Sequence, residues 1–162
     1  MLPSGEPAGS AVNSRTKPAH RILVVEDDCE IRRLNSEVLK SSGYEVDAAE
    51  DGAEAWETLQ IKVFNLMVTD NEMPRVSGVE LLKKLHAARM ALPTIMATGD
   101  LPREEFKRSP WLQPSAMLTK PYTIEELLGT VQEVLRATDG VREATAPPPD
   151  WQSLSPEDGW KV

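Results

Sequence analysis

The chain reads as an α/β domain built on a doubly wound, five-stranded parallel sheet. Three observations predict this. Five short apolar runs alternate with five segments of helical periodicity. Each intervening segment is too long for a hairpin turn, which leaves parallel strands joined by right-handed crossovers. Four of the five runs end on charged or hydroxyl side chains: Glu26 and Asp27, Asp70, Thr98, and Lys120. In a parallel sheet all those ends share one edge, the edge at which open α/β sheets bind ligands. Ordinary solvated loop charge would scatter polar residues instead of placing acids, an acid, a hydroxyl and an amine at successive strand ends.

The first strand is Arg21 to Val25, apolar enough to be buried on both faces. It runs into Glu26-Asp27-Asp28. Asp28 suits the N-cap of a helix carrying Ile31, Leu34 and Val38. Capping leaves Glu26 and Asp27 without a purpose, and adjacent acids repel. A divalent cation would neutralise them, and Mg²⁺ prefers this kind of oxygen-only site. Ser42-Gly43 ends the helix, and Glu45 to Ala49 is a second, weaker strand. Asp51-Gly52 is a turn signal, followed by a short helix with Ala53, Trp56 and Leu59 on one face, Trp56 being core or core edge.

The third strand, from Leu66, ends on Asp70 and opens into a loop with Pro74 and Gly78. Ser77 and Glu80 have the spacing of a capping box and start a helix with Val79, Leu82 and Leu85. His86, late on that helix, reads as a surface residue without a partner. Pro93 to Thr98 is the fourth strand. Pro102 with Glu104-Glu105 suits the first turn of a short helix that Pro110 stops. Ser115 to Thr119 is the fifth strand, ending in Lys120-Pro121. Thr123 and Glu126 form a second capping box, and Leu127, Leu128, Val131, Val134 and Leu135 mark the last helix. The expected organisation is a flexible, Ser/Pro/Ala/Gly-rich extension over 1–19, one domain over 20–138, and a Pro-rich acidic tail over 139–162.

Composition limits the partners. A net charge of −8 over 162 residues argues against nucleic acid and against an anionic membrane surface. No apolar run is long enough to span a bilayer. The lone cysteine, Cys29, has neither a disulfide partner nor metal-ligand companions. With no basic stretch leading into an apolar one at the start, a cytoplasmic location is expected.

Four stretches, in order, carry a resemblance: Ile22-Leu-Val-Val-Glu-Asp-Asp28, Val68-Thr-Asp-Asn-Glu-Met-Pro74 with Gly78, Met96-Ala-Thr98, and Lys120-Pro121. From about Arg21 to about Arg136 the chain resembles a two-component response-regulator receiver domain of the stand-alone, chemotaxis-regulator kind. The resemblance implies a flavodoxin-like (βα)5 fold. It implies that Asp70 is the phosphoacceptor for a sensor histidine kinase or a histidine phosphotransfer protein. It implies that Glu26, Asp27, Asp70 and the backbone carbonyl of Glu72 hold Mg²⁺, that Thr98 is the switch, and that Lys120 contacts the phosphoryl group. The Lys120–Pro121 bond would be cis. Such a domain is not an enzyme, since it catalyses only its own phosphorylation and dephosphorylation.

The chain departs from the family pattern in three places. Met117 stands three residues before the lysine, where the family usually has an aromatic. Pro110-Trp-Leu-Gln-Pro114 is an unusual approach to the fifth strand. No DNA-binding or enzymatic domain follows, so output is expected through a protein target. Two other classes remain open. A haloacid-dehalogenase-type phosphatase also uses an aspartate, Mg²⁺ and a lysine, but carries its nucleophile on the first strand in an Asp-x-Asp arrangement. A receiver fold that binds partners without phosphorylation is the other. Trp151 and Trp160 in the tail would suit a docking segment, although a tail without that role is the simpler reading.

Overall fold

A computed structural model describes residues 19–145. The expected extension and the tail beyond 145, with Trp151 and Trp160, lie outside the described residues.

The strands are β1 (Arg21–Val25), β2 (Glu45–Ala49), β3 (Leu66–Thr69), β4 (Thr94–Thr98) and β5 (Ala116–Thr119). All pair in parallel, in the order β2-β1-β3-β4-β5. The helices between and after them are α1 (Cys29–Ser41), α2 (Gly52–Ile61), α3 (Gly78–Ala87), α4 (Arg103–Arg108) and α5 (Ile124–Thr145), with a 3₁₀ turn over Pro110–Leu112. This is the doubly wound sheet expected from the sequence.

Strand alternation divides the core in two. Leu23, Val25, Met67 and Met96 face one side and meet Ala55 and Leu59 of α2, Leu81, Leu82 and Leu85 of α3, and Phe106 of α4. Ile22, Val24, Leu66, Val68, Ile95 and Ala97 face the other and meet Leu39 of α1 and Leu127, Val131, Val134 and Leu135 of α5. Both faces of the central strands are therefore covered, which is why β3 and β4 carry no charged residue and only threonine among polar ones. Each fully buried aliphatic side chain contributes about 1.5–3 kcal/mol of burial free energy.

The caps form as their spacing predicts. Asp28 Oδ1 accepts the amides of Glu30 and Ile31 at 2.9 and 3.2 Å. Ser77 and Glu80 close a reciprocal box at the start of α3. Thr123 and Glu126 do the same before α5, at 2.9 and 3.0 Å.

Four details go beyond the sequence reading. Helix α5 continues to Thr145, past the expected boundary at 138. A glycine inside a helix costs only about 1 kcal/mol, so Gly140 does not stop it. Asp139 on this helix is also tied to His20 at 3.1 Å, just before β1. The His86 ring has a partner: it stacks on Trp111 with centroids 4.2 Å apart and planes 35° apart. Leu112, inside the unusual Pro110–Pro114 approach, is buried in the core, which anchors the turn that presents Trp111. Met117 is 41% exposed. It lines a surface groove with Leu101, Arg103, Phe106, Lys107 and Gln113 and pairs across the sheet with Met96.

Candidate functional site

The backbone ladder runs one residue beyond the strand ends. Glu26 N donates to Ala49 O at 3.1 Å, Asp70 N to Val25 O at 3.1 Å, and Lys120 N to Thr98 O at 3.0 Å. Glu26, Asp70 and Lys120 thus stand on the sheet's C-terminal edge, held by pairing and not by loop conformation. β1 and β3 are neighbours, yet α1 packs on one face and α3 on the other. The crevice between them is a topological switch point, where ligands of such sheets bind.

Three of the expected acids converge there. Carboxylate oxygens of Glu26, Asp27 and Asp70 all lie within 4.8 Å of one another. Glu26 is 3% exposed and Asp70 7%, while Asp27 faces solvent. The Lys120 ammonium joins two of them, at 2.9 Å from Glu26 Oε1 and 3.2 Å from Asp70 Oδ2. The second Glu26 oxygen accepts the Asp28 amide at 3.2 Å. Asp70 Oδ1 accepts the Asn71 amide at 2.6 Å.

The electrostatics follow from this crowding. Burial pushes the Glu26 carboxyl above its ordinary value, against the opposing hydrogen bonds from Lys120 and the Asp28 amide. Burial pulls Lys120 the other way, but its hydrogen bond to Glu26 and the charges of Glu26 and Asp70 outweigh that and raise it. Lys120 is therefore fully charged at neutral pH. One ammonium faces three carboxylates, so the cluster carries excess negative charge. The donor set is all hard oxygen, with no thiol or imidazole in it. Such a set fits Mg²⁺ by donor type and by the charge it would offset.

Thr98 ends β4 and is 1% exposed. Its Oγ1 accepts the Asp100 amide at a long 3.4 Å. Glu72 is exposed on the loop that follows Asp70. The Lys120–Pro121 peptide is cis.

Several supporting residues escaped the sequence reading. Arg32 Nη1 donates to the Glu26 carbonyl at 2.7 Å. Thr69 donates its hydroxyl to the Asp70 carbonyl at 2.8 Å. Asn35 donates to the Tyr122 hydroxyl at 2.8 Å, tying α1 to the turn after Lys120. Gly78 passes so close to Asp70 that a Cβ there would overlap the Asp70 carbonyl oxygen. Gly78, unlike the others, is legible in the sequence, in the loop after Asp70 and in the resembling stretch.

A sheet of this order with an acidic, lysine-bridged cluster at its switch point defines a class, and comparison with known proteins agrees. The model of the response regulator receiver domain matches residues 22–132, and the chain belongs to that family. It is 32% identical over 117 residues to the response regulator receiver protein CpdR of Brucella abortus, covering 72% of this chain and 98% of that protein. Among solved structures, a CheY-like receiver domain protein of Methanospirillum hungatei superposes with a TM-score of 0.71 at 32% identity, covering 76% of this chain and 98% of that one. The response regulator TrrA of Thermotoga maritima, solved in complex with Mg²⁺-BeF, gives 0.63 at 31% identity, covering 71% and 98%. Receiver domains are signalling domains of two-component systems that interact with kinases or phosphotransfer proteins and with downstream targets. No helix among the described residues is long and apolar enough to cross a membrane.

Proposed function

We propose that this protein is a single-domain, cytoplasmic response regulator. It accepts a phosphoryl group on Asp70 from a histidine kinase or histidine phosphotransfer protein and signals through contacts with a protein target. The observation that carries the reading is the convergence of Glu26 and Asp70 on one ammonium, with an Asp27 oxygen within 4.8 Å of theirs.

An Asp70 oxygen attacks phosphorus in line. The phosphorus–nitrogen bond of the donor phosphohistidine breaks, and its electron pair returns to the imidazole. A carboxylate cannot easily approach an anionic donor, so the attack needs positive charge beside it. Lys120 supplies part and is already oriented toward Asp70. Glu26, Asp27, Asp70 and the Glu72 carbonyl would hold Mg²⁺, which supplies the rest when bound. The acyl phosphate adds nearly two negative charges. Lys120 then exchanges its contact with the carboxylate for one with a phosphoryl oxygen, and the Thr98 hydroxyl donates to another. Contacts made only in the phosphorylated state bias the conformational equilibrium, by about 1–3 kcal/mol in typical switches.

Incubation with acetyl phosphate and Mg²⁺, followed by intact-mass measurement, tests this reading. One phosphoryl group is expected, on Asp70 and only with a divalent cation. Asp70→Asn abolishes it with the fold retained. Many turnovers would instead indicate the phosphatase, and no label the phosphorylation-independent binder. Labelling that persists in Asp70→Asn means another residue is the nucleophile.

A further inference from the structure

Arg75 lies in the loop from β3 to α3. Its φ of 69° is in the left-handed region, which a residue with a Cβ holds only when its surroundings require it. The Val76 amide donates to the Pro74 carbonyl at 2.8 Å, closing a γ-turn on Arg75, and the Arg75 side chain reaches Asp51, the N-cap of α2. Arg75 Nε donates to Asp51 Oδ2 at 3.0 Å, and Nη2 donates to the same oxygen. Asp51 Oδ1 accepts the Glu54 amide at 2.8 Å. Although Arg75 is exposed, Asp51 is 4% exposed, and among the described residues the guanidinium is the cationic partner of this buried carboxylate.

The next residues on both sides repeat the contact. A Cβ on Gly52 would overlap the Val76 carbonyl oxygen and lie 2.8 Å from the Val76 Cβ. The loop is therefore seated on the start of α2 by two successive pairs, Arg75 on Asp51 and Val76 on Gly52.

From there the chain of contacts leads to the reacting carboxylate. Gly78 N donates to the Asn71 carbonyl at 3.0 Å, and Val79 N donates to Asn71 Oδ1 at 3.0 Å. These bonds close the loop and fix Asn71. The Asn71 amide in turn orients Asp70 Oδ1 at 2.6 Å.

We infer that Arg75 is a positioning residue for the phosphoacceptor site. Through Asp51 it holds the 71–78 loop in the shape that sets the Asp70 carboxylate and the Glu72 carbonyl for cation binding. It touches neither the acidic cluster nor a phosphoryl group. The inference rests on the proposed role of Asp70, and its first readouts do not require phosphorylation.

The test uses the full chain and Mg²⁺ alone as the probe, with affinity measured by titration calorimetry and amide exchange followed over 71–79. Arg75→Ala is expected to weaken Mg²⁺ binding about tenfold, the low end of the loss that follows removal of an outer support of a metal site. It should also speed exchange in the loop. Asp51→Asn keeps the helix cap and should reproduce both effects, and the double variant should be no worse than either single one, as two ends of one contact require. Arg75→Lys should recover part of the affinity. In acetyl phosphate labelling, the defect of Arg75→Ala should vanish at saturating Mg²⁺. Wild-type affinity and exchange in Arg75→Ala, or a change in melting temperature alone, would overturn the inference. If Arg75→Ala does not fold, Arg75→Gln carries the same test with the same overturning result. A wild-type protein that takes no label would remove the phosphoacceptor reading, while the affinity and exchange data would still decide the role of Arg75.

Discussion

Glu26 and Lys120 stand 94 residues apart in sequence and are joined at 2.9 Å on the C-terminal edge of the sheet. Lys120 also reaches Asp70 at 3.2 Å, so one half-buried ammonium offsets two buried carboxylates. Lys120→Met leaves both without a cation. It is expected to lower stability by roughly 1–3 kcal/mol in the absence of metal, the usual cost of orphaning a buried polar group. Mg²⁺ should then raise the melting temperature more in this variant than in wild type, because it replaces the missing charge. Equal Mg²⁺ shifts in both proteins would show that the ammonium and the metal do not share an electrostatic role.

Asp51 provides a pH test. The Glu54 amide, and then the Arg75 guanidinium, hold its carboxyl below its ordinary 3.8. A depressed carboxylate contributes stability that is present above 3.8 and lost as pH falls below it toward the folded-state value. Denaturant unfolding of wild type should lose stability in that window, and Asp51→Asn should lose less, having no charge to neutralise. Parallel curves for the two proteins would count against a depressed Asp51.

Glu72 and Asp100 follow Asp70 and Thr98 by two residues each and are both exposed. Two further acids at the rim of a cluster already short of positive charge should repel small anionic donors. Glu72→Asn is expected to speed labelling by acetyl phosphate, with the gain shrinking at high ionic strength. Unchanged or slower labelling would show that the rim charge does not limit donor entry.

Trp111 is 55% exposed and stacks on His86 of α3, directly after α4. A shift of α4 should therefore change its surroundings. In a variant keeping Trp111 alone, with Trp56, Trp151 and Trp160 replaced by Phe, beryllofluoride with Mg²⁺ is expected to alter the emission. Thr98→Ala should reduce that change strongly. Met117→Ala should leave most of it, since Met117 stands on the surface and pairs with Met96. Loss of the response in Met117→Ala with retention in Thr98→Ala would assign the relay to the methionine.

By itself the sequence determined whatever depends on near neighbours in the chain. Apolar runs such as Ile22–Val25 mark strands because every side chain there must enter a core. Asp28, Ser77 and Thr123 mark helix starts because a cap acts within three residues of itself. Once the strands are parallel, Glu26, Asp70, Thr98 and Lys120 share an edge by topology alone, so most of the candidate site was legible. The departures have the opposite character. Which carboxylates Lys120 bridges, that Arg75 locks onto Asp51 across 24 residues, that His86 meets Trp111, and that Met117 turns outward all depend on how finished elements pack against one another. Periodicity states which face of an element is buried. It does not state the angle and offset at which two faces meet, and a contact of about 3 Å between long polar side chains exists only at one such setting.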